Sequence, residues 1–349
     1  MKTTTIVLVL LTIANHSFAK EIPISREITS AVTKIFGKRI AIQASKGEFK
    51  IAPTTSDVEE FNLYLDHPNN PRAQNNIGLM YLNGRGVRQD NSKAAKSLTK
   101  AADQGLAAAQ YNLANMYCDG SLTRNEKTAV RYFTMAARQG LAQAQYNLAV
   151  LLSELPQAVK WYERSAEQGH LESKFNLAVM LESGDGVPQD VGRAFSLFRE
   201  AAEKGLVEAQ YGLGARWANK SPILYKAAYE WILKAAKQGY APAEDTVAKI
   251  LHEGMGVEKD IKEATAWYLK AAIQGHANSQ LQLAIIYLQG GDDLRAQAFG
   301  WLVLSSAQGN EIALTRKREL QEALTPDEVK RGLALAAFYD AKEPTQEAL

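Results

Sequence analysis

Ser97 and Lys100, in the run Ser97-Leu98-Thr99-Lys100, have the S-x-x-K spacing of acyl-serine enzymes. The histidines stand at 16, 67, 170, 252 and 276. None belongs to an H-E-x-x-H or a cysteine–histidine set of the kind that binds zinc. The run Asp185-Gly186-Val187-Pro188-Gln189-Asp190 has two carboxylates, but not the alternating ligands and closing glutamate of a calcium loop. Its glycines are followed by no G-K-[ST], so they form no phosphate cradle. Cys118 is the single cysteine, which excludes an intramolecular disulfide. It reads as a small apolar filler at a helix end. No catalytic residue, metal site or cofactor is assigned, and the chain is expected not to be an enzyme.

The elements that carry these residues repeat. Gln-Gly or Lys-Gly closes a segment at Gly105, Gly140, Gly169, Gly205, Gly239, Gly275 and Gly309, at steps of 35, 29, 36, 34, 36 and 34 residues. A period in the mid-thirties is one helix–turn–helix unit, and seven such units fit between residues 71 and 309. In the first unit, Ala73, Ile77, Met80 and Tyr81 line one face of a first helix, with Gly78 among them where a second helix can approach. Asn83-Gly84-Arg85-Gly86 breaks that helix, and Asp90 suits the N-cap of the next. Eleven residues before each closing glycine stands alanine: Ala94, Ala129, Ala158, Ala194, Ala228, Ala264 and Ala298. A small side chain is expected there because two helices cross. Eight residues before stand Ser97, Tyr132, Trp161, Leu197, Trp231, Trp267 and Trp301, read as core. Lys100 shares its repeat position with Lys234 and Lys270, so repeat grammar accounts for the S-x-x-K run as well.

Segments such as AQYNLANMYCDG, AQYNLAVLL and SGDGVPQDVGRAFSLFREAAEKG resemble the Sel1-like repeat family, the α/α relatives of tetratricopeptide repeats. The resemblance covers about four-fifths of the chain. It implies an all-α fold, a right-handed α/α solenoid of about seven repeats with terminal capping helices. Three units depart from the glycine loop, with Ser153-Glu154-Leu155-Pro156, Asn219-Lys220-Ser221-Pro222 and Gly290-Gly291-Asp292-Asp293. Relatives of this type serve in envelope assembly, motility apparatus, cell-wall enzyme regulation and host-cell contact. A cysteine-rich branch, to which β-lactamase-like activity has been ascribed, staples each repeat with a disulfide. This chain lacks those cysteines, and that activity is not carried over.

Residues 1–19 have the form of a cleavable signal peptide: Lys2, an apolar run from Ile6 to Ile13, and Ser17-Phe18-Ala19 before the cut. With the family resemblance this implies a bacterial protein, periplasmic or secreted, with no membrane span after cleavage. Residues 20–70 are expected to form an N-terminal cap or extension, with a helix over 22–36, strands near 39–43 and 48–52, and a helix over 57–65. After the seven repeats, residues 310–349 read as C-terminal capping helices and a frayed tail. Thr325-Pro326-Asp327-Glu328 is a capping box, and the last helix is expected to bury Val329, Leu333, Ala336 and Ala337. The formal net charge of +2, with 22% charged and 46% hydrophobic residues, points to neither nucleic acid nor an anionic membrane as partner. A monomer is expected.

If first helices line a concave inner face, as in tetratricopeptide repeats, one equivalent position holds Asn75, Tyr111, Tyr146, Phe175, Tyr211, Asp245 and Leu281. One turn further stand Leu79, Asn115, Val150, Val179, Ala215, Lys249 and Ile285. Aromatic side chains facing a groove suit an extended peptide. The candidate partner-binding groove is therefore Tyr111, Asn115, Tyr146, Phe175 and Tyr211. The ordinary alternative is that these rings pack against their own neighbours. The function expected is an exported interaction scaffold for a protein or peptide, and its rival is a peptidoglycan-related enzyme or binding protein.

Overall fold

The period of the closing glycines becomes a period of helical hairpins. The computed structural model describes residues 42–45, 48–51, 55–152, 155–220 and 225–340. The expected signal segment, the helix over 22–36 and the tail from 341 lie outside the described residues. Two short strands, β1 (Ile42–Ser45) and β2 (Glu48–Ile51), pair antiparallel with Ile42 opposite Ile51 and Ser45 opposite Glu48. Among the described residues, everything else with regular structure is helical. The chain divides into two compact units, Met1–Ser153 and Glu154–Leu349.

In the first unit, α1 (Thr55–Leu65) precedes α2 (Pro71–Asn83), α3 (Asn91–Asp103), α4 (Ala107–Cys118), α5 (Glu126–Arg138) and α6 (Ala142–Leu151). The second unit opens with α7 (Leu155–Glu167), α8 (Leu171–Ser183), α9 (Val191–Glu203), α10 (Val207–Lys220) and α11 (Tyr225–Lys237). It continues with α12 (Ala241–Glu253), α13 (Ile261–Ile273), α14 (Ala277–Gln289) and, after a 3-10 turn at Asp292–Leu294, α15 (Arg295–Ala307). The last two helices are α16 (Glu311–Ala323) and α17 (Pro326–Asp340). The third repeat is split, with α6 in the first unit and α7 in the second. At the fifth repeat, where the sequence suggests a loop from Asn219, the helix runs on through Lys220.

Local signals set the helix ends. Asp90, Asn125, Asp190 and Asp260 accept from the backbone N–H three residues on, at 2.8–3.0 Å. All seven closing glycines take the left-handed conformation, with φ between 84° and 99°. The box at Thr325 forms in both directions: Glu328 Oε2 accepts from the Thr325 N–H (2.8 Å), and Thr325 Oγ1 accepts from the Glu328 N–H (3.3 Å).

The hairpins depend on small residues. The alanines eleven before the closing glycine are buried in all seven repeats. Gly78 and Gly214, on the first helices of repeats one and five, face Ala94 and Ala228. A Cβ on Gly78 would lie 2.6 Å from Leu98 Cγ, and one on Gly214 would lie 2.8 Å from the Ala228 carbonyl oxygen. The crossing sets the depth to which the next turn buries. The residues seven before the closing glycine, Leu98, Phe133, Tyr162, Phe198, Ile232, Tyr268 and Leu302, are buried without exception. Each such side chain contributes about 1.5–3 kcal/mol through burial.

The tryptophan position is less uniform than the sequence suggests. Trp267 and Trp301 are buried, but Trp161 and Trp231 are half-buried. Arg164 lies over the Trp161 ring at 4.8 Å, Lys234 over Trp231 at 3.8 Å and Lys270 over Trp267 at 3.7 Å. The row one residue later is buried in every repeat, and Trp161 and Trp231 lie at its flank while Trp267 and Trp301 join it. Trp301 is enclosed because α17 lies on α15: Tyr339 stacks on its ring at 4.7 Å between centroids. The face that α17 buries is Gly332, Leu335, Ala336 and Tyr339, whereas Leu333 and Ala337 are exposed. The reason is another close approach. A Cβ on Gly300 would lie 2.7 Å from the Gly332 carbonyl oxygen, so α17 can seat only along its glycine.

A buried amide ladder ties successive helices together. Gln110 donates through Nε2 to the Ala102 carbonyl (3.2 Å), and its Oε1 accepts from Gln139 (2.8 Å). Gln210 does the same with Ala202 (3.1 Å) and Gln238 (2.8 Å), and Gln280 with Ala272 (3.1 Å) and Gln308 (2.9 Å). Each amide thus gives a second donor to a carbonyl in the last turn of the preceding second helix, which already accepts from the N–H of the closing glycine. Two repeats replace it with a charge. Lys174 is paired with Glu200, whose carboxyl is held low by the hydrogen bond from Lys174. Glu244, 3% exposed, accepts from Gln274 at 2.7 Å. Burial pushes its carboxyl above the ordinary 4.5, against the Gln274 hydrogen bond and the Lys270 charge.

Two outcomes are expected. Ala228→Leu overpacks the crossing against Gly214 and lowers stability by about 1–3 kcal/mol, read as a lower urea midpoint with unchanged slope. Glu244→Gln restores the ladder amide. Because the folded-state pKa of Glu244 is raised, its favourable contribution is complete below 4.5 and is lost as pH rises through the raised value. The variant is therefore more stable than the natural chain at neutral pH, and the difference shrinks on acidification. Urea melts at a series of pH values check the sign.

Candidate interaction surface

At the equivalent position of the first helices, repeats two to six leave a side chain half-buried, whereas Asn75 of the first and Leu281 of the seventh are buried. In the first unit, Tyr111 is half-buried, with its ring 5.8 Å from Phe133 of the second helix behind it. Tyr146 is also half-buried. Beside them runs a chain of asparagines. Asn112 donates to Asn75 Oδ1 at 2.9 Å, Asn75 to Asn76 Oδ1 at 3.2 Å, and Asn147 to Asn115 Oδ1 at 3.1 Å. The carbonyl of Asn115 therefore already has one donor from the next repeat.

At the α1 end of this row lies a cleft of about 230 Å³, lined by Glu60, Tyr64, Asn76, Leu79, Met80, Asn83 and Arg85. Its acidic wall is fixed. Glu60 accepts from the Tyr64 hydroxyl (2.9 Å) and from Arg85, and Arg85 also lies 3.2 Å from Asp57. The sequence reading passed over this cleft. The signal was present in Arg85, a charged residue between the two glycines of a loop.

In the second unit the aromatics continue, and the asparagine position continues for one repeat more: Asn176 donates to the Tyr162 hydroxyl at 3.2 Å. Phe175 meets Phe198 edge-on at 5.5 Å, and Tyr211 meets Tyr240 at 5.5 Å. The Tyr211 hydroxyl lies 3.4 Å from Thr246 Oγ1. Where the first unit has Asn112 and Asn147, the fifth repeat has Gly212. Arg216 fills that space: it donates to the Gly212 carbonyl (3.0 Å) and to both oxygens of Glu182, and lies 3.8 Å above the Phe198 ring. All four candidate aromatics are thus half-buried, and Tyr111, Phe175 and Tyr211 each pack against a ring of the second helix or the turn after it. The two units are separate bodies here, with Tyr111, Asn115 and Tyr146 in one and Phe175 and Tyr211 in the other.

The row ends at a serine–histidine–aspartate group. Ser279 Oγ donates to Asp245 Oδ1 at 2.5 Å, and His276 Nδ1 lies 3.0 Å from Ser279 Oγ and 3.4 Å from Asp245. A catalytic triad needs the imidazole between the other two, one nitrogen on each. Here a single nitrogen faces both, and Ser279 is fully buried. The group is a helix cap: His276 Nδ1 accepts from the Ser279 N–H. His170 caps α8 in the same way through Ser173, and burial holds its pKa below 6.5, keeping the acceptor nitrogen unprotonated. Ser97 is half-buried and Lys100 exposed on α3. Cys118 is half-buried at the end of α4, and burial pushes its thiol up, away from the thiolate that would make it a nucleophile. No helix among the described residues is long and apolar enough to cross a membrane.

The Sel1 repeat model matches residues 71–106, 107–141, 142–170, 171–206, 207–240, 247–276 and 277–310. The sixth match begins only after Glu244 and Asp245, the residues that depart from the amide ladder and the aromatic row. Among solved structures, the chain is similar to a protective antigen present in uropathogenic Escherichia coli strains that displays an SLR fold. The two are 31% identical with a TM-score of 0.73, over 82% of this chain and 64% of that one. The chain thus spans less than two thirds of that protein's length. A Sel1 repeat protein from Oxalobacter formigenes is 33% identical with a TM-score of 0.55, over 59% of this chain and 86% of the other.

Proposed function

Since the chain belongs to the Sel1 repeat family, we propose that it is an exported scaffold that holds a protein or peptide partner on its first-helix rows. The observation that carries this reading is the composition of the row in the first unit. Half-exposed rings at Tyr111 and Tyr146 stand beside asparagines that bond to one another from repeat to repeat. Such rings bury much apolar area while ordering only two torsions. Asparagine amides with spare donors and lone pairs suit the main chain of an extended segment. Phe175 and Tyr211 give the second unit a row of its own. Export rests on residues 1–19, and the likeness to a protein described as a protective antigen supports it. The scaffold reading is preferred to a cell-wall enzyme because the serine–histidine–aspartate group is arranged as a cap.

The test is crosslinking and recovery of partners from the periplasm, followed by affinity measurement with the recovered partner. Tyr111→Ala together with Tyr146→Ala should weaken binding by about 2 kcal/mol or more while leaving helicity unchanged. Normal binding by the double variant would refute the first-unit row. Turnover of a β-lactam or a muropeptide would overturn the scaffold reading itself.

A further inference from the structure

We propose that the cleft between α1 and α2 takes a basic side chain, lysine or arginine, of the extended segment held on the first-unit row. The cleft exists because α1 is seated on the loop of the first repeat. Gly86 is buried there, and a Cβ on it would lie 2.4 Å from the Asp57 carbonyl oxygen. Phe61 completes the seat: it is buried with Ile77 and Met80 and meets Tyr81 edge-on at 5.4 Å. This seating holds Arg85 between Asp57 and Glu60.

The lining selects the charge of the occupant. Two carboxylates share one guanidinium, so one negative charge is left over. No basic residue of α1 offsets it, since that helix reads TSDVEEFNLYL. Met80 and Asn83 belong to the last turn of α2, and the C-terminal end of a helix favours a cation. Acceptors are to hand as well. Glu60 accepts one bond at each oxygen, from Tyr64 and from Arg85, and a carboxylate has room for about four. The Tyr64 hydroxyl spends its proton on Glu60, which leaves its own oxygen as an acceptor. Leu79 and Met80 give the methylene stem of a lysine or arginine an apolar surface. The volume of about 230 Å³ is below that of a pocket for a whole drug-sized ligand and suits one side chain. The row leads to this cleft: Asn112 donates to Asn75, Asn75 to Asn76, and Asn76 lines the cleft. Because the Asn76 carbonyl is taken by Asn75, its NH2 is left to donate to a main-chain carbonyl of the segment. The proposal rests on the scaffold reading for the source of the segment, whereas the cleft is tested without the row.

The experiment is NMR titration of the full chain with the N-methylamides of Nα-acetyl-lysine and Nα-acetyl-arginine, read at the side-chain amides of Asn76 and Asn83. Saturable shifts are expected, with a dissociation constant on the order of 1 mM for so small a probe. The norleucine analogue, which has the stem without the charge, should give none, and neither should the glutamate analogue. Glu60→Gln should weaken the basic probes about tenfold. Tyr111→Ala with Tyr146→Ala should leave them unchanged, so a failure of the row and a failure of the cleft are read separately. Absence of shifts with both basic probes overturns the proposal, as does equal binding of norleucine or indifference to Glu60→Gln. Preference for the glutamate analogue would make Arg85 the recognising group and overturn it too. The norleucine and glutamate comparisons on the natural chain keep the test decisive should Glu60→Gln disturb the fold. Binding seen only once residues 20–41 are removed would make the chain's own upstream segment the occupant, and would equally overturn it.

Discussion

The distance at which two helices may cross governs this protein. Each second helix buries an alanine, and in the first and fifth repeats it meets a glycine on the first helix, close enough that an added Cβ at Gly78 or Gly214 has no room. Because the backbones approach this closely, the next turn drives a large side chain, from Leu98 to Leu302, into full burial. The glycine that closes each second helix then reverses the chain for the next first helix. The small residues fix the geometry, and the large ones supply the free energy that the geometry makes available.

That division of labour explains where polar groups can be tolerated. The ladder glutamines lie at the helix ends, where carbonyls need donors, and each amide bridges three helices. Charges enter the ladder only where something compensates: Glu200 for Lys174, and a raised carboxyl pKa at Glu244. The surface row is left free to vary because none of these constraints reaches it. Its members change from asparagine to glycine between Asn176 and Gly212, with Arg216 folding into the space at Gly212.

Much of the fold was legible in the sequence because its determinants are small residues in fixed register. The closing glycines, the crossing alanines and the caps at Asp90 and Thr325 are local signals with local causes. The core reading of the tryptophan position holds at Tyr132, Trp267 and Trp301 but not at Trp161 and Trp231, because the position one residue later points more squarely inward. Neighbouring positions on a helix point about 100° apart, and a basic residue three further on shelters the indole from water. The seat of α17 was misjudged for the opposite reason: an alanine-rich helix offers several apolar faces, and the choice is made by the glycine on the partner helix. Of the candidate site, the aromatic row could be read from spacing. The asparagine bonds and the cleft beside α1 could not, because they depend on contacts between repeats.

The amide ladder has a bearing on how such a chain can change its length. A ladder glutamine accepts within its own repeat, as Gln110 does from Gln139, and donates to the last turn of the repeat before, as Gln110 does to Ala102. Duplication or loss of a whole repeat with glutamine at this position leaves that donor and acceptor matched. Lys174 and Glu244 are likewise partnered inside their own repeats, by Glu200 and Gln274, so those pairs travel with the repeat. Glu244 differs in the backward link, because a carboxylate has no N–H to give the preceding repeat. The glutamine repeats thus carry the bond that joins each unit to the one before, and a repeat of the Glu244 kind does without it.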